Sequence, residues 1–111
     1  TMNAPSSRRQ QIESMLEADP QDQFLRYSLA MELQKEGDHE RSIDLLRALA
    51  ADEEPYGAAF FMLAKQLVPL RRLDEAREAL RAGIELARRR GDSHAASEMS
   101  EYLTTLGQLG P

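Results

Sequence analysis

The chain has 111 residues, 41% of them hydrophobic, which suits one globular domain and not two. It has no cysteine, which excludes a disulfide framework, a thiol nucleophile and a thiolate zinc site. A net charge of −5 argues against a protein built mainly to hold nucleic acid, and no apolar run approaches the roughly 20 residues that span a bilayer.

The opening TMNAPSSRRQQ lacks the apolar core of a signal peptide, so a cytoplasmic protein is expected. Met2 is read as the natural start with Thr1 added before it, and residues 1–5 as a flexible tail. The stripe of Ile12, Met15 and Leu16 predicts a helix over 6–18, halted by Asp19 and Pro20. A second helix is predicted over 21–36. At about 100° per residue, Leu25, Leu29, Ala30 and Leu33 gather on one side of it, while Phe24, Tyr27 and Met31 gather roughly 170° away. A helix packed on a single core needs one apolar stripe, so the second stripe requires an occupant of its own.

Gly37 can take the left-handed conformation that ends this helix, and Asp38 can cap the next. That third element, over 39–51, carries Ile43, Leu46 and Leu49 on one face. After the break at DEEP comes a helix over 56–70, whose end Pro69 is expected to shorten or kink. Asp74 and Glu75 put negative charge in the first turn of the next helix, which runs through Leu80, Ile84 and Leu86 to Arg90. Arg88 to Arg90 complement its negative end, and Gly91 stops it. The last helix, over 93–107 and capped by Ser93 or Asp92, has Ala95, Met99, Tyr102 and Leu106 on one face. Its other face is polar. No segment shows sustained period-two alternation, so no strand is predicted.

A shift of 34 residues brings the chain onto itself. Leu29 falls on Leu63, Ala30 on Ala64, Leu33 on Leu67, Ser42 on Ala76 and Leu46 on Leu80. These positions resemble the tetratricopeptide repeat, a helix–turn–helix of 34 residues with large and small apolar residues at set places. The first unit matches at Leu29, Ala30, Leu33, Ser42 and Leu46, with Pro55 one residue late. The second matches at Phe60, Leu63, Ala64, Leu67, Ala76 and Leu80 and lacks the closing proline. Arg26 replaces an expected aromatic residue, and Arg71 replaces the glycine that Gly37 supplies in the first unit.

The resemblance implies an all-α, right-handed superhelical stack of antiparallel helix pairs, about six helices in one domain over 6–108. Repeat one covers 21–54 and repeat two 55–90, with a helix before and a closing helix after. It also implies that the first helices of the units line a concave groove for a peptide or helix. Phe24, Tyr27, Met31 and Lys35 from the first unit, with Phe61, Lys65 and Val68 from the second, are then the partner-binding residues. The partner is another protein or peptide. A self-associating module using the same stripe is the alternative, and in a third arrangement Tyr102, Leu103 and Leu106 fold back over Phe61 and Tyr27.

Members that grip a C-terminal carboxylate use lysine, arginine and asparagine on this face. Here the corresponding face offers Tyr27 and Met31, with Lys65 as its one cation in the second unit, so that activity is not expected. His39 and His94 lie in separate inter-helix regions and are read as capping or solvent-exposed rather than as zinc ligands. The carboxylates fall at helix starts and solvent faces, and no glycine-rich phosphate loop is present. No catalysis, no cofactor, no metal, no nucleic acid and no membrane partner is therefore expected.

Overall fold

The protein is described by a computed structural model over residues 6–109. The expected tail at 1–5 lies outside the described residues. Six helices follow one another: α1 (Ser7–Ala18), α2 (Gln23–Lys35), α3 (His39–Ala51), α4 (Gly57–Leu67), α5 (Leu73–Arg89) and α6 (Ser93–Gly107). No strand occurs among the described residues. They form two compact units, one ending at Tyr56 and the other beginning at Gly57. The starts of α2 and α4, and of α3 and α5, keep the 34-residue offset of the sequence.

In the first unit α2 packs against both α1 and α3. Ile12, Leu29 and Leu33 form a buried cluster, with Leu16 and Leu45 partly buried against it. Met15, expected on the same stripe of α1, is 50% exposed. Polar ties add to this contact. Arg9 Nη1 lies 2.7 Å from Glu36 Oε1, and Arg8 Nε lies 3.0 Å from Glu32 Oε1. Between α2 and α3 the repeat positions Ala30, Leu33, Ser42 and Leu46 are fully buried, and the Ser42 hydroxyl donates to the Ala30 carbonyl at 2.6 Å.

In the second unit α5 packs against both α4 and α6. Ala64, Leu67, Ala76 and Leu80 are fully buried here, as their counterparts are in the first unit. Fully burying one leucine side chain contributes about 1.5–3 kcal/mol, so these positions carry much of each unit's stability. Gly83 lets three helices meet. A Cβ at that position would lie 2.6 Å from Met99 Sδ and 2.7 Å from Phe60 Cβ.

Three helix ends share one hydrogen-bonded turn. Asp38 N–H donates to the Leu33 carbonyl, Arg72 N–H to Leu67 and Asp92 N–H to Ala87. Gly37, Arg71 and Gly91 donate in turn to the carbonyls of Gln34, Val68 and Arg88. This double bond pattern requires a left-handed residue, and Gly37, Arg71 and Gly91 have φ of 83°, 61° and 73°. Arg71 therefore takes the glycine conformation without being glycine. Pro69, which lacks an N–H, accompanies an end of α4 at Leu67 instead of residue 70.

Two caps differ from one another. Asp92 accepts from Ala95 N–H at 3.1 Å, as its type predicts. Asp38 stands at the cap of α3 without a capping bond, its carboxylate 3.7 Å from Arg41.

Two substitutions test these packing arguments. Arg71→Gly should raise stability by about 1 kcal/mol, since left-handed backbone costs a side-chain-bearing residue about that much. Urea midpoints measure it, and an unchanged or lower midpoint would refute the strain. Gly83→Ala should do the reverse. Alanine gains about 1 kcal/mol of helix propensity, but the overlap with Phe60 and Met99 costs about 1–3 kcal/mol. A more stable Gly83→Ala protein would mean that α4 and α6 yield easily.

Candidate functional site

The stripe opposite the buried leucines of α2 exists as read from the sequence, but its members differ in environment. Phe24 is 64% exposed, while Tyr27 and Met31 are half-buried. Lys35 is exposed, with Nζ 3.5 Å from Glu32 Oε1. Tyr27 does not stand alone. Its ring lies 5.4 Å from that of Tyr56, tilted by 48°. Burial pushes the Tyr27 phenol above its ordinary range, and the neighbouring Tyr56 adds to the effect.

Tyr56 was missing from the sequence-predicted set because it precedes α4 rather than lying on a predicted stripe. The segment that delivers it is anchored to α2. Arg26 forks onto Asp52 with contacts of 2.7 and 3.1 Å, and Gln23 Nε2 donates to Asp52 Oδ2 at 3.0 Å and to the Glu54 carbonyl at 2.7 Å. Tyr56 N–H then donates to the Leu49 carbonyl at 3.0 Å. Arg26 thus fills the expected aromatic position with a different device, a bidentate ion pair that holds residues 52–56 along α2. The Arg26 hydrogen bonds, followed by that of Gln23, pull the Asp52 carboxyl below its usual range.

In the second unit the corresponding face belongs to α4. Phe61 meets Tyr102 of α6 edge-on, with centroids 5.4 Å apart and planes at 68°. Lys65 Nζ stands 4.0 Å over the Phe61 ring, close enough for a cation–π contact. Phe61 and Val68 are half-buried, and Lys65 is exposed. Tyr102 therefore partly covers Phe61, as the fold-back arrangement anticipated, while Leu106 is fully withdrawn. The structure gathers Phe24, Tyr27, Met31 and Lys35 on one helix and Phe61, Lys65 and Val68 on and just beyond another.

The rest of the surface offers less chemistry. A shallow cleft between the end of α5 and α6 is lined by Arg88, Ser93, Ser97, Ser100 and Glu101 and reaches none of these residues. Among the described residues no three His, Cys, Asp or Glu side chains are placed to hold a metal ion. No helix among them is long and apolar enough to cross a membrane.

Comparison with solved structures returns a consistent architecture. The chain is similar to the solution structure of a tetratricopeptide repeat domain protein from Salinibacter ruber, with 32% identity and a TM-score of 0.78, covering 83% of this chain and 93% of that one. A crystal structure of the Salinibacter ruber domain protein gives 30% identity and a TM-score of 0.74, covering 81% of this chain and 100% of that one. A protein from Bordetella parapertussis gives 25% identity and a TM-score of 0.77, over 96% and 90% of the two chains. No family model and no curated protein matches the chain.

Two ion pairs of the first unit predict an acid dependence. The Arg9 hydrogen bond holds the Glu36 carboxyl low, as Arg26 does for Asp52. Depressed carboxylates stabilise the folded state fully above their unfolded values of about 4, and the contribution is lost as pH falls through the folded values. Urea midpoints should therefore drop between about pH 5 and pH 3. The drop should be shallower in the Glu36→Gln, Asp52→Asn double variant. Parallel curves for parent and variant would show that these pairs do not respond to acid as described.

Proposed function

The chain belongs to the tetratricopeptide repeat family, and from that premise we propose that it is a non-catalytic protein-interaction module whose α2 and α4 faces receive a peptide or a helix. In the first unit the contact face is Phe24, Tyr27 and Met31 with Lys35 at its edge. In the second it is Phe61, Lys65 and Val68. The observation that carries this reading is Phe24, a phenylalanine 64% exposed on a helix whose opposite side already buries Leu29, Ala30 and Leu33 in the core. Phe24 is exposed beyond what the packing of α2 uses, and large aromatic side chains are the usual anchors of interfaces. The half-open Tyr27–Tyr56 and Phe61–Tyr102 pairs widen these faces with rigid rings that lose little entropy on binding.

Selection of a displayed library of random 12-residue peptides on the full chain tests the proposal. Peptides enriched on the parent should bind the Phe24→Ser variant about tenfold more weakly, the scale of losing one anchor. The Tyr27→Ser, Phe61→Ser double variant should retain its helical circular dichroism and lose binding further. Enrichment that ignores Phe24 would place the contact elsewhere. A light-scattering mass that doubles with concentration, and reverts in Phe24→Ser, would assign the stripe to self-association instead.

A further inference from the structure

The two units have diverged in charge. Residues 1–56 hold twelve Asp and Glu against six Lys and Arg, whereas residues 57–111 hold seven against eight. The whole net charge of the chain therefore belongs to the unit that exposes Phe24. Locally the imbalance is steeper. Over 17–36 and 52–56, which span the whole face, there are eight carboxylates against two cations; Arg26 is paired with Asp52, and Lys35 lies 3.5 Å from Glu32. Gln23 and Arg26 hold Asp52, and with it the acidic segment before Tyr56, against the first turns of α2 that carry Phe24.

The second unit shows what such a ring does when a cation is supplied. Lys65 lies 4.0 Å above Phe61. A shift of 34 maps Phe61 onto Tyr27 and Lys65 onto Met31, so the first unit brings no cation from that position to its ring. It offers aromatic faces within an acidic unit, and both attract the same group. We infer that the face of Phe24, Tyr27 and Met31 takes a polypeptide segment in which a bulky apolar side chain is flanked by lysine or arginine. The apolar side chain covers Phe24, and the cation takes the Tyr27 ring, to which position 31 brings none. This identification of the partner's chemistry rests on the interaction reading proposed above.

The peptides selected from the random library decide it, read for charge and then measured one by one on purified protein at about 0.05 and 0.3 M salt. Enriched peptides should carry Lys or Arg next to Leu, Phe or Trp. Their binding should fall about tenfold in Met31→Lys, which supplies the cation internally and repels the incoming one, and should survive in Met31→Leu. Phe24→Ser should weaken the same peptides. If the selected peptides need Phe24 but are neutral or acidic, the charge inference fails and the interaction reading stands. If cationic peptides bind Phe24→Ser and Met31→Lys as well as the parent, they recognise diffuse acidity and the inference also fails. If no peptide is enriched, both fall together.

Discussion

The close approach of paired helices is the constraint on which the rest depends. Ala30, Leu33, Ser42 and Leu46 in one unit, and Ala64, Leu67, Ala76 and Leu80 in the other, are all fully buried. Ser42 donates to the Ala30 carbonyl at 2.6 Å, so two small residues meet where the helix backbones draw together, and the leucines fill the space beside them. Gly83 carries the principle furthest, because even one methyl would meet Phe60 and Met99. Once the leucine side of α2 and α4 is committed to this contact, their opposite side is only partly covered, by Tyr56 over Tyr27 and by Tyr102 over Phe61.

The same logic explains which features were legible in the sequence. Packing positions recur at a fixed spacing, so Leu29 announces Leu63 and Ala30 announces Ala64. The turns were legible for a related reason, since Gly37 identifies Arg71 as its counterpart and the structure gives both the left-handed backbone. Features that depend on a partner distant in sequence were not legible. Arg26 looked like the loss of an aromatic residue, and nothing near it pointed to Asp52, 26 positions on. Tyr56 is brought to Tyr27 by that ion pair together with the Gln23 hydrogen bonds and its own N–H to the Leu49 carbonyl. Met15 fitted the period of α1 and yet lies half in solvent, because a period locates a face and says nothing of how far the neighbour extends. Asp38 had the right chemistry for a cap, but it lies 3.7 Å from Arg41 without making the cap bond.

The two aromatic faces arise from different supports. Tyr27 meets an aromatic ring delivered by a loop, whereas Phe61 meets one from a neighbouring helix. The loop-borne ring depends on the Arg26–Asp52 ion pair and the Gln23 hydrogen bonds that hold its segment, whereas the helix-borne ring is placed by the packing of α6. The two units therefore share a scaffold and differ in how firmly each contact face is built.

Position 32 and its counterpart 66 show how drift between the units is limited by solvation. Both side chains are 6% exposed. Glu32 can be withdrawn from water as a carboxylate because Arg8 lies 3.0 Å away, Lys35 3.5 Å away, and the Ser6 hydroxyl donates to it. Gln66 has neither side-chain oxygen nor nitrogen paired. An unpaired buried amide costs a few kcal/mol, and an unpaired buried charge costs far more. A carboxylate is therefore tolerable where α1 supplies an arginine, and a neutral amide is the more tolerable polar residue where no such partner stands. Charge at this position follows from the neighbouring side chain, so the acidity of the first unit is partly a by-product of how α1 is held to α2.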